Sequence, residues 1–264
     1  MPTGLTPTGA PHISVLGVHS ETRVTMSSFR QHLATALTLL ALGIPAAADV
    51  PLANLLTADE LQRIKKGDAV VRRSSSKGRV ETIVAAKIDA PPAWVYAQMS
   101  DACHLKHATN YSGEPVYVTP ALAEAAIAAA KPRTVAREEV EKLAPVPCAT
   151  ALSSSPSYSY TPWHLPWPLP DGWSFSRGER TSGGASGGTI RSSQVAGTLK
   201  HMEYNTDITP LDGNTLFVAV SVFVLPFRVP DFMLKSSDQS SRHITTIRER
   251  AKSAPWKAMI SGER

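Results

Sequence analysis

Residues 173–225 constrain this chain more than any other stretch. Four strand-length segments, Trp173–Thr181, Thr189–Gly197, Leu199–Thr209 and Thr215–Leu225, follow one another with little but turn residues between them. Gly183-Gly184 with Gly187-Gly188, then Gly197, then Asp212-Gly213-Asn214 supply the turns. Connections this short join antiparallel neighbours, so a meander should form the centre of the fold. The run Gly183–Gly188 joins two strands rather than opening a helix, which makes it a hairpin loop and not a phosphate cradle.

The preceding chain supplies further elements. Thr57-Ala-Asp-Glu60 is a capping box that starts a short helix to about Lys66, and Gly67 ends it. Val70-Val71 begins a strand, Ser74 to Gly78 is a turn, and Val80 to Ile88 is a second strand. Ala90-Pro91-Pro92 stops that strand and starts a helix from Ala93 to about Asp101. Gly113 to Val118 is extended. A helical insertion covers 121–143: an alanine-rich helix to Ala130, an interruption at Pro132, and a charged helix from Val135 to Leu143. Pro145 to Pro170 is expected to be loop-like. The last helix runs from Ser237 to about Lys252, with Ile244, Ile247 and Ala251 on one face.

The N-terminus has the pattern of an address label. Leu33 to Ile44 is an apolar run of twelve residues, preceded by Arg30 and followed by Pro45 and Ala46-Ala47-Ala48. It is too short to span a bilayer and matches a signal peptide cleaved after Ala48. Residues 1–25 make too long an n-region, so Met26 is the expected start, with the stretch before it untranslated or disordered. Residues 1–48 are then leader, and 49–264 a single exported domain.

Lys+Arg 27 against Asp+Glu 22 gives +5, with no dense basic block, so a nucleic-acid partner is not expected. No Walker loop, dinucleotide fingerprint or serine elbow occurs, and no cofactor is expected. Cys103-His104-Leu-Lys-His107 offers metal ligands only if Cys148 or His164 joins them. An oxidising compartment favours a Cys103–Cys148 disulfide over zinc or over a Cys–His nucleophile.

The order of elements resembles the START-like superfamily, which includes polyketide cyclase/dehydrase and lipid-transport proteins. The likeness rests on Ile88-Asp-Ala-Pro-Pro-Ala-Trp-Val-Tyr, Asp101, Trp167-Pro-Leu-Pro-Asp-Gly-Trp, Thr209-Pro-Leu-Asp-Gly-Asn-Thr-Leu-Phe-Val and Val229-Pro-Asp-Phe-Met-Leu. It spans roughly residues 68–254, and the insertion at 121–143 departs from it. The resemblance implies an α+β helix-grip fold: a curved antiparallel sheet around a long C-terminal helix, with an internal apolar cavity. Such a cavity would take a hydrophobic small molecule or lipid.

Strand parity supplies candidate lining residues. Met202, Tyr204 and Ile208 share one parity with Lys200 and Thr206, while His201, Glu203, Asn205 and Asp207 face away. Thr215–Leu225 is apolar on both parities, and Phe217, Ala219, Ser221 and Phe223 are assigned to the cavity. Trp173, Phe175, Arg177 and Glu179 form either a cavity wall with a polar anchor or a strand passing from core to solvent. Ile244, Ile247 and His243 would face the cavity from the last helix, with a surface or capping role as the alternative for His243. Trp163, Trp167 and Trp173 are loop packing or a portal that makes transient membrane contact. The expected function is periplasmic binding or transport of a hydrophobic molecule without catalysis. The alternatives are a cyclase/aromatase-like enzyme in the same cavity, and a structural or interaction protein with a filled one.

Overall fold

The computed structural model describes residues 50–76, 78–101, 103, 113–164, 171–226 and 239–253. Nine strands form one sheet: β1 Ala69–Ser76, β2 Arg79–Ile88, β3 Val116–Val118, β4 Pro145–Val146, β5 Ser157–Trp163, β6 Gly172–Ser182, β7 Gly188–Gly197, β8 His201–Leu211 and β9 Asn214–Val224. Their order is β1-β2-β9-β8-β7-β6-β5-β3-β4. Every described pairing is antiparallel. Helices α1 Ala58–Lys65, α2 Pro92–Ser100, α3 Pro120–Ala130, α4 Arg137–Val140, α5 Cys148–Leu152 and α6 Gln239–Ser253 complete an α+β fold. No helix among the described residues is long and apolar enough to cross a membrane.

Local chemistry sets the element ends. The Thr57 hydroxyl accepts from the Glu60 N–H at 3.2 Å, and the Glu60 carboxylate accepts from the Thr57 N–H at 2.8 Å. This closes the capping box that starts α1. The second insertion helix is shorter than expected, four residues instead of Val135–Leu143. Glu139 accepts the Ala136 N–H at 2.9 Å and fixes the start there, while Val135 is buried ahead of it. The stretch expected to be loop-like holds β4, α5 and β5. Within it, Tyr158 and Tyr160 alternate with Ser157, Ser159 and Thr161, and Pro162 sits at the strand's end.

Register assigns the residues to two faces. On the inner face, Phe217, Ala219, Ile208, Val84, Ala86 and Ile88 pack with Val95 and Met99 of α2 and with Ile244, Ile247 and Ala251 of α6. Burying side chains of this size is worth about 1.5–3 kcal/mol each. Arg248 fastens α6, donating from Nε to the Lys87 carbonyl at 3.1 Å and from Nη2 to the Gly67 carbonyl at 3.0 Å. The Tyr96 ring lies so close to Gly188 that a Cβ there would stand 2.6 Å from Cε2, and the backbone φ of 156° excludes most side chains as well.

The outer face is covered twice. Leu52 and Ile64 pack on Leu216, Val218, Val220 and Ile83, while Ala123 and Val140 of the insertion pack on Val118, Tyr158, Tyr160 and Phe175. Asp207 was expected to face away into solvent, yet it is only 5% exposed. The N-terminal turn Leu52–Leu55 covers it, and its carboxylate accepts from the Leu52 N–H at 2.7 Å and from Arg191 at 2.5 Å.

Candidate functional site: the interior of the curled sheet

Trp163 on β5 and Phe223 on β9 stand four strands apart in the sheet. On a flat sheet that is about 19 Å. Their rings nevertheless meet edge to face with centroids 6.2 Å apart. The sheet therefore curls until its two flanks touch, and its inner face encloses an interior. Trp163 is held in place by its indole N–H, which donates to the Ser174 hydroxyl at 2.9 Å.

The wall of that interior mixes polar with apolar side chains. One rung of directly paired residues starts at Arg73 on β1, which donates to the Thr82 hydroxyl at 3.3 Å, and continues through six residues, Thr82, Ser221, Tyr204, Ser192, Gly178 and Ser157. Five of the six carry a hydroxyl. The rung below holds Val84, Ala219, Thr206, Ile190 and Arg180, and the rung above holds Val80, Phe223, Met202 and, across β7 and β6, Gln194 and Ser176.

Three observations describe the state of this wall. Thr206 is fully buried, and its hydroxyl makes no well-formed hydrogen bond; the side-chain oxygen of Gln194 is likewise unpartnered. An orphaned buried polar atom costs about 1–3 kcal/mol, so each needs a reason. Gln194 is oriented by its amide N–H, which donates to the Leu199 carbonyl at 2.7 Å. Burial pushes the Tyr204 phenol above its ordinary value, and the nearby Thr206 hydroxyl pulls it partly back. Even so Tyr204, Ser221 and Ser192 keep accessible surface in the middle of the sheet, while Val218, Val220 and Val222 on the opposite face are buried.

The structure divides the residues assigned to the cavity from sequence. Met202, Tyr204, Phe217, Ala219, Phe223, Ile244 and Ile247 belong to the inner face. Phe217, Ala219, Ile244 and Ile247 fill it with a close-packed core, Tyr204 packs against that core, and Met202 and Phe223 line the part above. Trp173, Phe175 and Arg177 lie on the outer face. Phe175 is buried under the insertion, Trp173 stacks against Tyr160 at 6.0 Å, and Arg177 pairs with Glu179 at 2.6 Å. Parity within one strand groups residues but leaves open which face they share, and a register shift between Phe175 and Ser176 adds to the offset.

The three tryptophans do not form one cluster, since Trp163 points inward and Trp173 outward, while Trp167 lies outside the described residues. The side chain of His243 and the residues His104 and His107 also lie outside them. Cys103 and Cys148 are bonded, with Cα atoms 5.7 Å apart, which removes them from any metal set. A pocket of about 250 Å³ beside this disulfide is lined by Glu114, Val116, Tyr117 and Pro145, at the sheet's far edge. Sequence reasoning missed Ser192 and Gln194, and grouped Thr206 with Met202 and Tyr204 without giving it a role. The alternation of Ser192 and Gln194 was visible, but only register shows that they share a wall with Tyr204.

No family model matches the chain, and no curated protein matches it. Solved structures do. Human STARD10 is 10% identical with a TM-score of 0.42, covering 80% of this chain and 84% of that one. A STAR-related lipid transfer protein from Xanthomonas axonopodis is 9% identical with a TM-score of 0.41, covering 70% and 98%. The Zhui aromatase/cyclase from Streptomyces sp. R1128 is 12% identical with a TM-score of 0.35, covering 70% and 93%. The chain is similar in fold to these START-like proteins. At such identities the likeness extends to fold alone, and the chemistry has to come from this chain's own interior.

Proposed function

We propose that this protein binds a hydrophobic, lipid-like small molecule inside the curled sheet and does so without catalysis. The observation that carries this reading is Tyr204. It stands in the middle of a nine-stranded sheet, deep enough for burial to raise its pKa, and still keeps accessible surface. On this reading that surface faces a hollow rather than bulk water. The hydroxyls and phenol around the hollow hold their protons at neutral pH, which suits hydrogen bonding to a guest better than proton abstraction. A cyclase-like enzyme in the same interior is the alternative, and it would reveal itself by turnover.

Export belongs to the same reading. The apolar run 33–44 and the alanines 46–48 support a cleaved signal peptide. Leu52, just past the expected new terminus Asp49, is tied to Asp207 at 2.7 Å. A disulfide between Cys103 and Cys148 suits an oxidising periplasm or exterior. Loading would involve transient contact with a membrane surface. The test is native mass spectrometry of the exported protein. The expected result is a chain beginning at Asp49 that carries extra mass released by organic solvent. A bare chain that takes up neither neutral nor anionic amphiphiles would overturn the reading.

A further inference from the structure

We infer that the rung Thr82–Ser221–Tyr204–Ser192–Gly178–Ser157 selects a neutral amphiphile bearing several hydroxyl or carbonyl oxygens, in preference to one with a single charged end. This rests on the reading that the interior binds a small molecule, and it names the class of guest. The residues are consecutive Cα partners across β2, β9, β8, β7, β6 and β5. Along the curled sheet they span about 24 Å.

Each hydroxyl both donates and accepts, so a row of them matches alcohols, sugars and carbonyls rather than a point charge. A carboxylate or phosphate calls for a fork of cationic donors. These six positions carry no such group; the next partner along the rung, Arg73 on β1, donates to the Thr82 hydroxyl at 3.3 Å, and Arg180, one rung below, donates to the Ser154 carbonyl at 2.6 Å. Gly178 leaves a gap in the row, and a Cβ there would press on the oxygen of Ser157 at 3.2 Å, whose hydroxyl donates to the Gly178 carbonyl at 3.5 Å.

A second observation points to a guest independently. The Thr206 hydroxyl, fully buried on the same face two residues from Tyr204, is left without a well-formed partner, as is the Gln194 oxygen. The Gln194 oxygen, an acceptor, could take a hydroxyl of a bound molecule, and the Thr206 hydroxyl could exchange its contact with Tyr204 for an oxygen of that guest. The apolar groups on neighbouring rungs, Val84 and Ile190 below and Val80 and Phe223 above, suit its hydrocarbon part.

The test uses three probes with one twelve-carbon tail: dodecyl glucoside, dodecanol and dodecanoate, each titrated calorimetrically below its micelle point into the mature protein. The glucoside is expected to bind at least about tenfold more tightly than the other two. The paired substitution Ser192→Ala with Ser221→Ala should remove about that factor for the glucoside and leave dodecanol unchanged, while Ser193→Ala on the outer face changes neither. Dodecanoate or dodecanol binding as tightly as the glucoside would overturn this inference and leave the binding reading intact. Failure of all three to bind would overturn both. If the paired variant does not fold, the ranking on the parent protein decides alone.

Discussion

Strand β9 carries two different regions on one face. At Phe217 and Ala219 the side chains are 1% and 4% exposed and locked among Ile208, Val95, Ile244 and Ile247. Two residues on, Ser221 and Phe223 keep accessible surface. The backbone pairing is continuous through both regions, so hydrogen bonding of the ladder does not distinguish them. The difference lies in what stands opposite. Two helices press apolar groups on the first region, while the second meets hydroxyls of its own sheet and, at Phe223, the distant Trp163. Stability is therefore concentrated where the helices grip, and the other half of the interior is where the proposed guest would sit.

The largest expected effect lies in the gripped region. Phe217→Ala should cost about 3–5 kcal/mol, because the ring is enclosed by close-packed neighbours that cannot collapse onto the space. Phe223→Ala should cost clearly less, since its ring is only partly covered. Urea denaturation of both variants checks the contrast, and equal losses would erase the distinction between the regions. A middling effect comes from adding volume. Ala219→Trp should destabilise by about 1–3 kcal/mol or more, because the site beneath α2 and α6 is full. Ser221→Trp should leave the melting temperature nearly unchanged and abolish uptake of dodecyl glucoside. The reverse pattern would move the hollow to the other end of the strand.

Much of this division was legible in the sequence. The glycine turns gave the meander, and the two-sided apolar pattern of Thr215–Leu225 left a strand either covered on both faces or lining a cavity; Leu216 and Val218 are buried on one side and Phe217 and Ala219 on the other. Four things escaped. The strand Ser157–Trp163 lay in a Ser- and Pro-rich stretch whose turn chemistry outweighed its tyrosine alternation. The face of Trp173, Phe175 and Arg177 depends on register with β5 and β7, which no single strand encodes. The burial of Asp207 depends on Leu52, 155 residues away. The serine rung escaped for the same reason, because its members are neighbours only across strands.

The smallest effect at neutral pH is the most specific to the hollow. Tyr204→Phe removes one hydroxyl and should change stability by less than about 1 kcal/mol at pH 7. The consequence appears in alkali. Burial holds the folded phenol above the ordinary value of 10, so the folded chain keeps that proton after the unfolded chain has begun to lose it. The contribution is thus fully present below pH 10 and is lost as pH rises from there through the raised folded value. Tyr117 and Tyr160, also raised by burial, give the parent a similar slope that the variant retains. Urea midpoints measured between pH 8 and 11 should therefore fall less steeply for Tyr204→Phe than for the parent. A water-filled interior would solvate the phenolate and let Tyr204 titrate near 10 in both states. Parent and variant would then run parallel, and the contrast between a gripped region and a dry, guest-ready one would fail at its central residue.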